Sequence, residues 1–80
     1  MNRIEKFIHN LAPKERWLIQ ETITRLGHRD LTGLDIKKLK GFSDLFRVRL
    51  GRIRIIFQMN AEISPRVLDI SNRNDTTYHF

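Results

Sequence analysis

The stretch Phe46-Arg47-Val48-Arg49-Leu50-Gly51-Arg52-Ile53-Arg54-Ile55-Ile56-Phe57 decides the fold. Phe46, Val48 and Leu50 alternate with Leu45, Arg47 and Arg49, and beyond Gly51-Arg52 the residues Ile53, Ile55, Phe57 and Met59 alternate with Arg54, Ile56 and Gln58. A period of two means strands, because successive side chains on extended backbone point to opposite faces. Between the two runs lies a two-residue loop with glycine first, which suits a type II′ hairpin turn. That loop sets the register. Leu50 then faces Ile53, Val48 faces Ile55 and Phe46 faces Phe57, all on one apolar side. The other side carries Arg47, Arg49, Arg54, Ile56 and Gln58, with Arg49 directly across from Arg54.

Upstream of the hairpin the period is helical. Ile4, Phe7, Ile8 and Leu11 follow the i, i+3, i+4, i+7 spacing of an amphipathic helix. Pro13 ends it, since the residue before proline avoids helical backbone, and Pro13 can open a second helix at its first position. Ile19, Ile23 and Leu26 form that helix's apolar stripe, flanked by Leu18, and Gly27 is the natural residue to cap its end. Trp17 lies on the opposite side from the stripe, where it either packs sideways on the first helix or stays partly exposed for a partner. Residues 29–41 read as a connection punctuated by Gly33 and Gly41. Downstream, a looser turn over residues 60–65 leads to a third short strand, residues 67–71, with Leu68 and Ile70 on the apolar side. The expected class is therefore α+β: residues 1–80 form a single domain, an N-terminal helical hairpin packed on a small antiparallel sheet of three or so strands.

Composition narrows the function. The chain has 80 residues, no cysteine and a net charge of +6. Disulfides and Cys-based metal sites are excluded, no apolar run approaches the length of a membrane span, and the first residues do not read as a signal peptide. A cytoplasmic protein is the expectation. The charge is localised. Lys37, Lys38, Lys40, Arg47, Arg49, Arg52 and Arg54 are met by one acid, Asp44, so this segment alone accounts for the excess. A localised excess of this kind points to a polyanion as partner.

The third strand would place Asp69 and Ser71 on the basic side, with Arg73 following in parity. Arg73 opens a polar stretch that also contains Asp75, Tyr78 and His79. These groups can bind phosphate or move protons; the bland alternatives are a solvated sheet face and an ordinary polar terminus. His9, His28 and His79 show no metal spacing, and no phosphate-cradling loop, nucleophile elbow or zinc-protease motif is present. No metal and no cofactor are expected.

Two segments, Lys38-Leu39-Lys40-Gly41-Phe42-Ser43-Asp44-Leu45-Phe46-Arg47-Val48-Arg49-Leu50 and Gly51-Arg52-Ile53-Arg54-Ile55-Ile56-Phe57, together resemble the RelE/ParE superfamily of toxins from type II toxin–antitoxin systems. The pattern is a lysine–leucine–basic–glycine start, an alternating basic strand, a tight turn and a second strand with arginine before hydrophobics. The stretch from Ser71 to Tyr78 resembles the closing arginine–tyrosine element. Together these cover about half of the chain in the family's order. Many members have an extra strand before the helices; here the helical pattern begins near residue 3, which implies a smaller sheet with a more exposed edge. Some members also carry a C-terminal helix beyond the tyrosine; with two residues after Tyr78, none is expected here.

The resemblance implies a ribosome-dependent endoribonuclease that cleaves mRNA and inhibits translation. Arg47, Arg49 and Arg54 would bind phosphates, Arg73 would stabilise the transition state, Tyr78 would act as a base or stacking platform, and His79 would compete for acid–base work. Lys37, Lys38, Lys40 and Arg52 would add RNA contacts. The partners implied are the ribosome, mRNA and a cognate antitoxin protein forming a hetero-oligomer; no membrane is involved. Some relatives have lysines where Arg47 and Arg49 stand. Arginine is a poor proton donor, so a step needing a lysine proton would be slower here or fall to His79. Three other readings share the fold or the charge: a ParE-like DNA gyrase inhibitor, a non-catalytic nucleic-acid-binding module, and a toxin relic that only binds its antitoxin.

Overall fold

The structure is a computed structural model that describes residues 2–72. In chain order it contains α1 (Arg3–His9), α2 (Pro13–Gly27), β1 (Asp35–Lys38), β2 (Leu45–Leu50), β3 (Ile53–Gln58) and β4 (Arg66–Asn72). The strands form one antiparallel sheet in the order β1-β2-β3-β4. The architecture is α+β, with two helices and a four-stranded sheet.

Local chemistry explains the helix boundaries. The Asn2 side chain accepts a hydrogen bond from the Glu5 amide at 2.8 Å, satisfying one of the donors that a helix start leaves over. α1 stops at His9, short of the run to Leu11 that the apolar spacing suggests. Ala12 is extended, as a residue before proline should be, and Pro13 opens α2.

The end of α2 differs from expectation. Gly27 remains helical and His28 is the cap. The left-handed residue is Arg29, with φ 58°. Its amide donates to the Leu26 carbonyl at 3.0 Å and the Asp30 amide donates to the Arg25 carbonyl at 2.9 Å. These two bonds make a Schellman motif with arginine where glycine is usual. The Arg29 side chain donates to the carbonyls of Asn60 and Ile63 at 3.1 and 2.7 Å, tying the helix end to the β3–β4 turn.

Ile19, Thr22 and Leu26 are the buried residues of α2, with Ile23 half-buried beside them. The buried Thr22 hydroxyl is satisfied by donating to the Leu18 carbonyl at 2.8 Å. Leu18 itself is 41% exposed and Trp17 64% exposed. Leu18 therefore does not extend the buried stripe, and Trp17 does not pack into the core.

The central hairpin has the register that its loop dictates: Leu50↔Ile53, Arg49↔Arg54, Val48↔Ile55 and Phe46↔Phe57. Gly51 carries φ +57° while Arg52 does not have positive φ, in keeping with a type II′ turn. Val48, Ile53, Ile55, Phe57 and Ile70 join Leu11, Ile19 and Leu26 in the core, and Phe46 and Phe57 stack with ring centroids 5.5 Å apart.

Two features of the sheet correct the sequence reading. Residues 29–41 are not merely a connection, because Asp35–Lys38 pairs with β2 as an extra strand. β4 carries a bulge where Ile56 pairs with Asp69 but Phe57 pairs with Val67. The bulge inserts Leu68 between two paired residues, so Val67 rather than Leu68 packs on the core.

Candidate functional site

Sheet register brings the candidate arginines together. On the face away from the core cluster, Asp35, Arg49, Arg54 and Ser71 form one rung across all four strands. Lys37, Arg47, Ile56 and Asp69 form the next. The arginines occupy the two central strands, and the acids occupy the two outer ones.

This face is not a simple solvated surface. Ile56 is fully buried, Arg54 is only 9% exposed and Ser71 6%. The Arg47 side chain is 14% exposed and that of Arg49 41%. The three guanidinium groups thus grade from depth to surface in the order Arg54, Arg47, Arg49. Packing like charges on adjacent strands disfavours the sheet, and burial raises that cost unless anions are close.

Asp35 supplies one such anion. Its Oδ2 accepts from Arg49 Nε at 2.9 Å, and its Oδ1 accepts from an Arg47 terminal nitrogen at 3.3 Å. That same Arg47 nitrogen also donates to the Asp35 carbonyl at 3.3 Å. The hydrogen bond from Arg49, seconded by Arg47, holds the Asp35 carboxyl below the usual carboxylate range. Sequence reasoning missed Asp35 because it stands just outside the basic segment, in residues taken for a loop. The available signal was Ile36 flanked by Asp35 and Lys37, a short alternation in phase with the hairpin. Asp69, the other acid on these two rungs, pairs with Arg3 from α1.

The remaining candidates fall elsewhere. Lys37 shares the arginine face, opposite Arg47, whereas Lys38 opposes Phe46 on the other face. Lys40 is exposed in the turn after β1. Arg52 is engaged at the hairpin tip. It forms two bonds of 2.9 Å to the Glu15 carboxylate and one of 2.7 Å to the Asn72 side-chain oxygen. That geometry clamps the first turn of α2 to the hairpin and to the end of β4. Arg73, Tyr78 and His79 lie outside the described residues.

Beside this clamp, a cleft of about 220 Å³ is lined by Lys14, Leu18, Leu50 and Ile53 among others. Among the described residues, no group of three or more histidines and carboxylates could hold a metal ion. No described helix is long and apolar enough to cross a membrane.

Chemically, the face offers fixed positive charge with graded accessibility. Such an array can bind phosphate oxygens, including bidentately, and can stabilise negative charge that grows during phosphoryl chemistry. It holds no described histidine, and its one exposed carboxylate is occupied by two arginines. No family model matches the chain, and no curated protein and no solved structure matches it significantly.

Proposed function

We propose that this chain is a RelE-type toxin of a type II toxin–antitoxin system, with a RelE-like fold, acting in the cytoplasm as a ribosome-dependent endoribonuclease. The observation that carries the reading is the convergence of Arg47, Arg49 and Arg54 on one sheet face at graded depth. Three guanidinium groups gathered at graded depth are suited to a scissile phosphate. The resemblance in the strand–turn–strand segment supplies the reaction.

In that reaction the ribose 2′-oxygen attacks the adjacent phosphorus. A 2′-O–P bond forms, the bond from phosphorus to the 5′-oxygen breaks, and the products are a 2′,3′-cyclic phosphate and a 5′-hydroxyl. A base takes the 2′ proton and an acid delivers one to the leaving oxygen. Arg54 and Arg47 hold the phosphate, and Arg49, the most exposed of the three, meets the incoming strand. Arg73 balances charge in the transition state. Tyr78 and His79 share the proton transfers, with the phenol requiring nearby cations to ionise near neutrality. The cognate antitoxin covers the basic face when the toxin is silent.

The test is primer extension on mRNA in a translating extract, with wild type beside Arg54→Ala and Tyr78→Phe. Discrete cuts at codon positions, weakened in both variants, are the expected result. Arrested translation with intact message overturns the ribonuclease reading. Uninhibited translation turns attention to gyrase inhibition or to a relic that binds only its antitoxin.

A further inference from the structure

Asp35 stands where a ligand's charge would stand. Its two carboxylate oxygens are divided between Arg49 and Arg47, at 2.9 and 3.3 Å. This is the way a nucleic-acid phosphate would engage two guanidinium groups, one oxygen to each. The carboxylate comes from β1, the outermost strand on this side of the sheet. Its side chain is 52% exposed, whereas that of Arg47 is 14% exposed. The more buried partner is therefore the arginine, and the more accessible partner is the acid that covers it.

The geometry points to Asp35 as a built-in phosphate mimic, a carboxylate that occupies the Arg47–Arg49 pair until a phosphodiester of single-stranded RNA displaces it. The inference rests on the phosphate-binding reading of this face given above. One alternative is disfavoured by the arrangement and a second is separated by the experiment below. A general base needs appreciable basicity, and two guanidinium groups bonded to the Asp35 carboxylate favour its ionised form and make it a weak base. A purely architectural acid would hold the arginines in place without competing. Displacement is feasible because the pair is only partly buried, and exposed ion pairs contribute little to stability. The side chain also needs only a change of rotamer to leave, since β1 is held by its backbone pairing with β2.

The consequence is specificity by threshold. A single phosphate or free nucleotide must compete with a carboxylate already in place. A strand presenting several phosphates also engages Lys37, exposed on the same face, and so gains enough elsewhere to move it. Asp35 thus tunes affinity for polyanions downward and discriminates against small ones.

The experiment is fluorescence anisotropy with a short 2′-O-methyl oligoribonucleotide, which cannot undergo 2′-oxygen attack. It is run across a salt series with wild type, Asp35→Asn, Asp35→Glu and Glu62→Gln. Glu62→Gln makes the same change of net charge at an exposed residue of the turn beyond the end of β3. Asp35→Asn should bind about threefold to tenfold tighter than wild type. Its plot of log K against log salt should steepen by about 0.7 to 1.4, the increment for one or two released cationic contacts on a single strand. Glu62→Gln and Asp35→Glu should stay near wild type. Equal binding by wild type and Asp35→Asn, weaker binding by Asp35→Asn, or equal tightening by Glu62→Gln each overturns the inference. All three leave the ribonuclease reading intact if wild type cuts mRNA. Absence of binding by every variant overturns the phosphate-binding reading along with it.

Discussion

The two faces of the sheet share the same strands and the same register, yet they are stabilised by opposite chemistries. On the helix side, Val48, Ile55, Phe57 and Ile70 are all fully buried, and α1 and α2 complete the layer. Burying each such side chain is worth about 1.5–3 kcal/mol. On the other side the corresponding rungs hold Arg49, Arg54 and Arg47, with Asp35 and Asp69 at the margins. One face stabilises the fold; the other tolerates like-charge repulsion of a fraction of a kcal/mol per facing pair. A protein of this size has little stability to spare, so a face on which arginines outnumber the acids that pair with them is informative about what it meets.

Substitutions that break this contrast should do so unequally. Phe57→Ala should have the largest effect, a loss of about 3–5 kcal/mol by chemical denaturation, because it empties the centre of the core and removes the stack with Phe46. Equal stability in Phe57→Ala and wild type would mean that the helix-side face is not the core. Arg49→Ala should cost less than about 1 kcal/mol, since its pair with Asp35 is exposed, while RNA binding falls by about tenfold; unchanged binding would remove Arg49 from the site.

The clamp at the hairpin tip lies between these extremes. Arg52→Ala and Glu15→Gln should each destabilise by about 0.5–1 kcal/mol, and the double variant should cost little more than either alone. Strict additivity would dissolve the clamp. The smallest effect is electrostatic and appears in acid. The carboxyls of Asp30 and Asp35 are both held below their usual range, Asp30 first by its hydrogen bond from Arg25 and Asp35 first by that from Arg49. A depressed carboxyl stabilises the fold fully above its unfolded value, about 3.9, and loses that contribution as pH falls through the folded value. The thermal midpoint of wild type should therefore fall faster below pH 4 than that of the Asp30→Asn, Asp35→Asn double variant, measured by circular dichroism.

The central hairpin was legible because two independent signals, strict alternation and a glycine-first loop, fix one register. The arginine face followed from it. Asp35–Lys38 was not legible as a strand because only Ile36 of its residues touches the core, and a strand with one buried side chain leaves almost no pattern. Val67 and Leu68 are both apolar, so alternation alone could not say which one the bulge would turn inward. At the end of α2, Gly27 drew attention as the conventional cap. The left-handed position went instead to Arg29, whose side chain reaches two carbonyls of the β3–β4 turn. Tertiary hydrogen bonds offset a local backbone cost there, and no local rule foresees that. Arg29→Gly should accordingly be nearly neutral, whereas Arg29→Ala should lose about 1 kcal/mol.

Strand order in the sheet equals chain order, and this has a consequence for how the molecule assembles. Each strand pairs with its neighbour in sequence, so no pairing waits for a distant segment, and the central hairpin can form on the microsecond scale typical of hairpins. A contact that reaches well beyond that hairpin is the Arg52–Glu15 pair, separated by 37 residues. It closes a long loop for a modest return and so belongs to the later stages of folding. Loosening it should leave the folding rate nearly unchanged and quicken unfolding modestly, so the hairpin tip is one point at which the lifetime of the native state can be tuned.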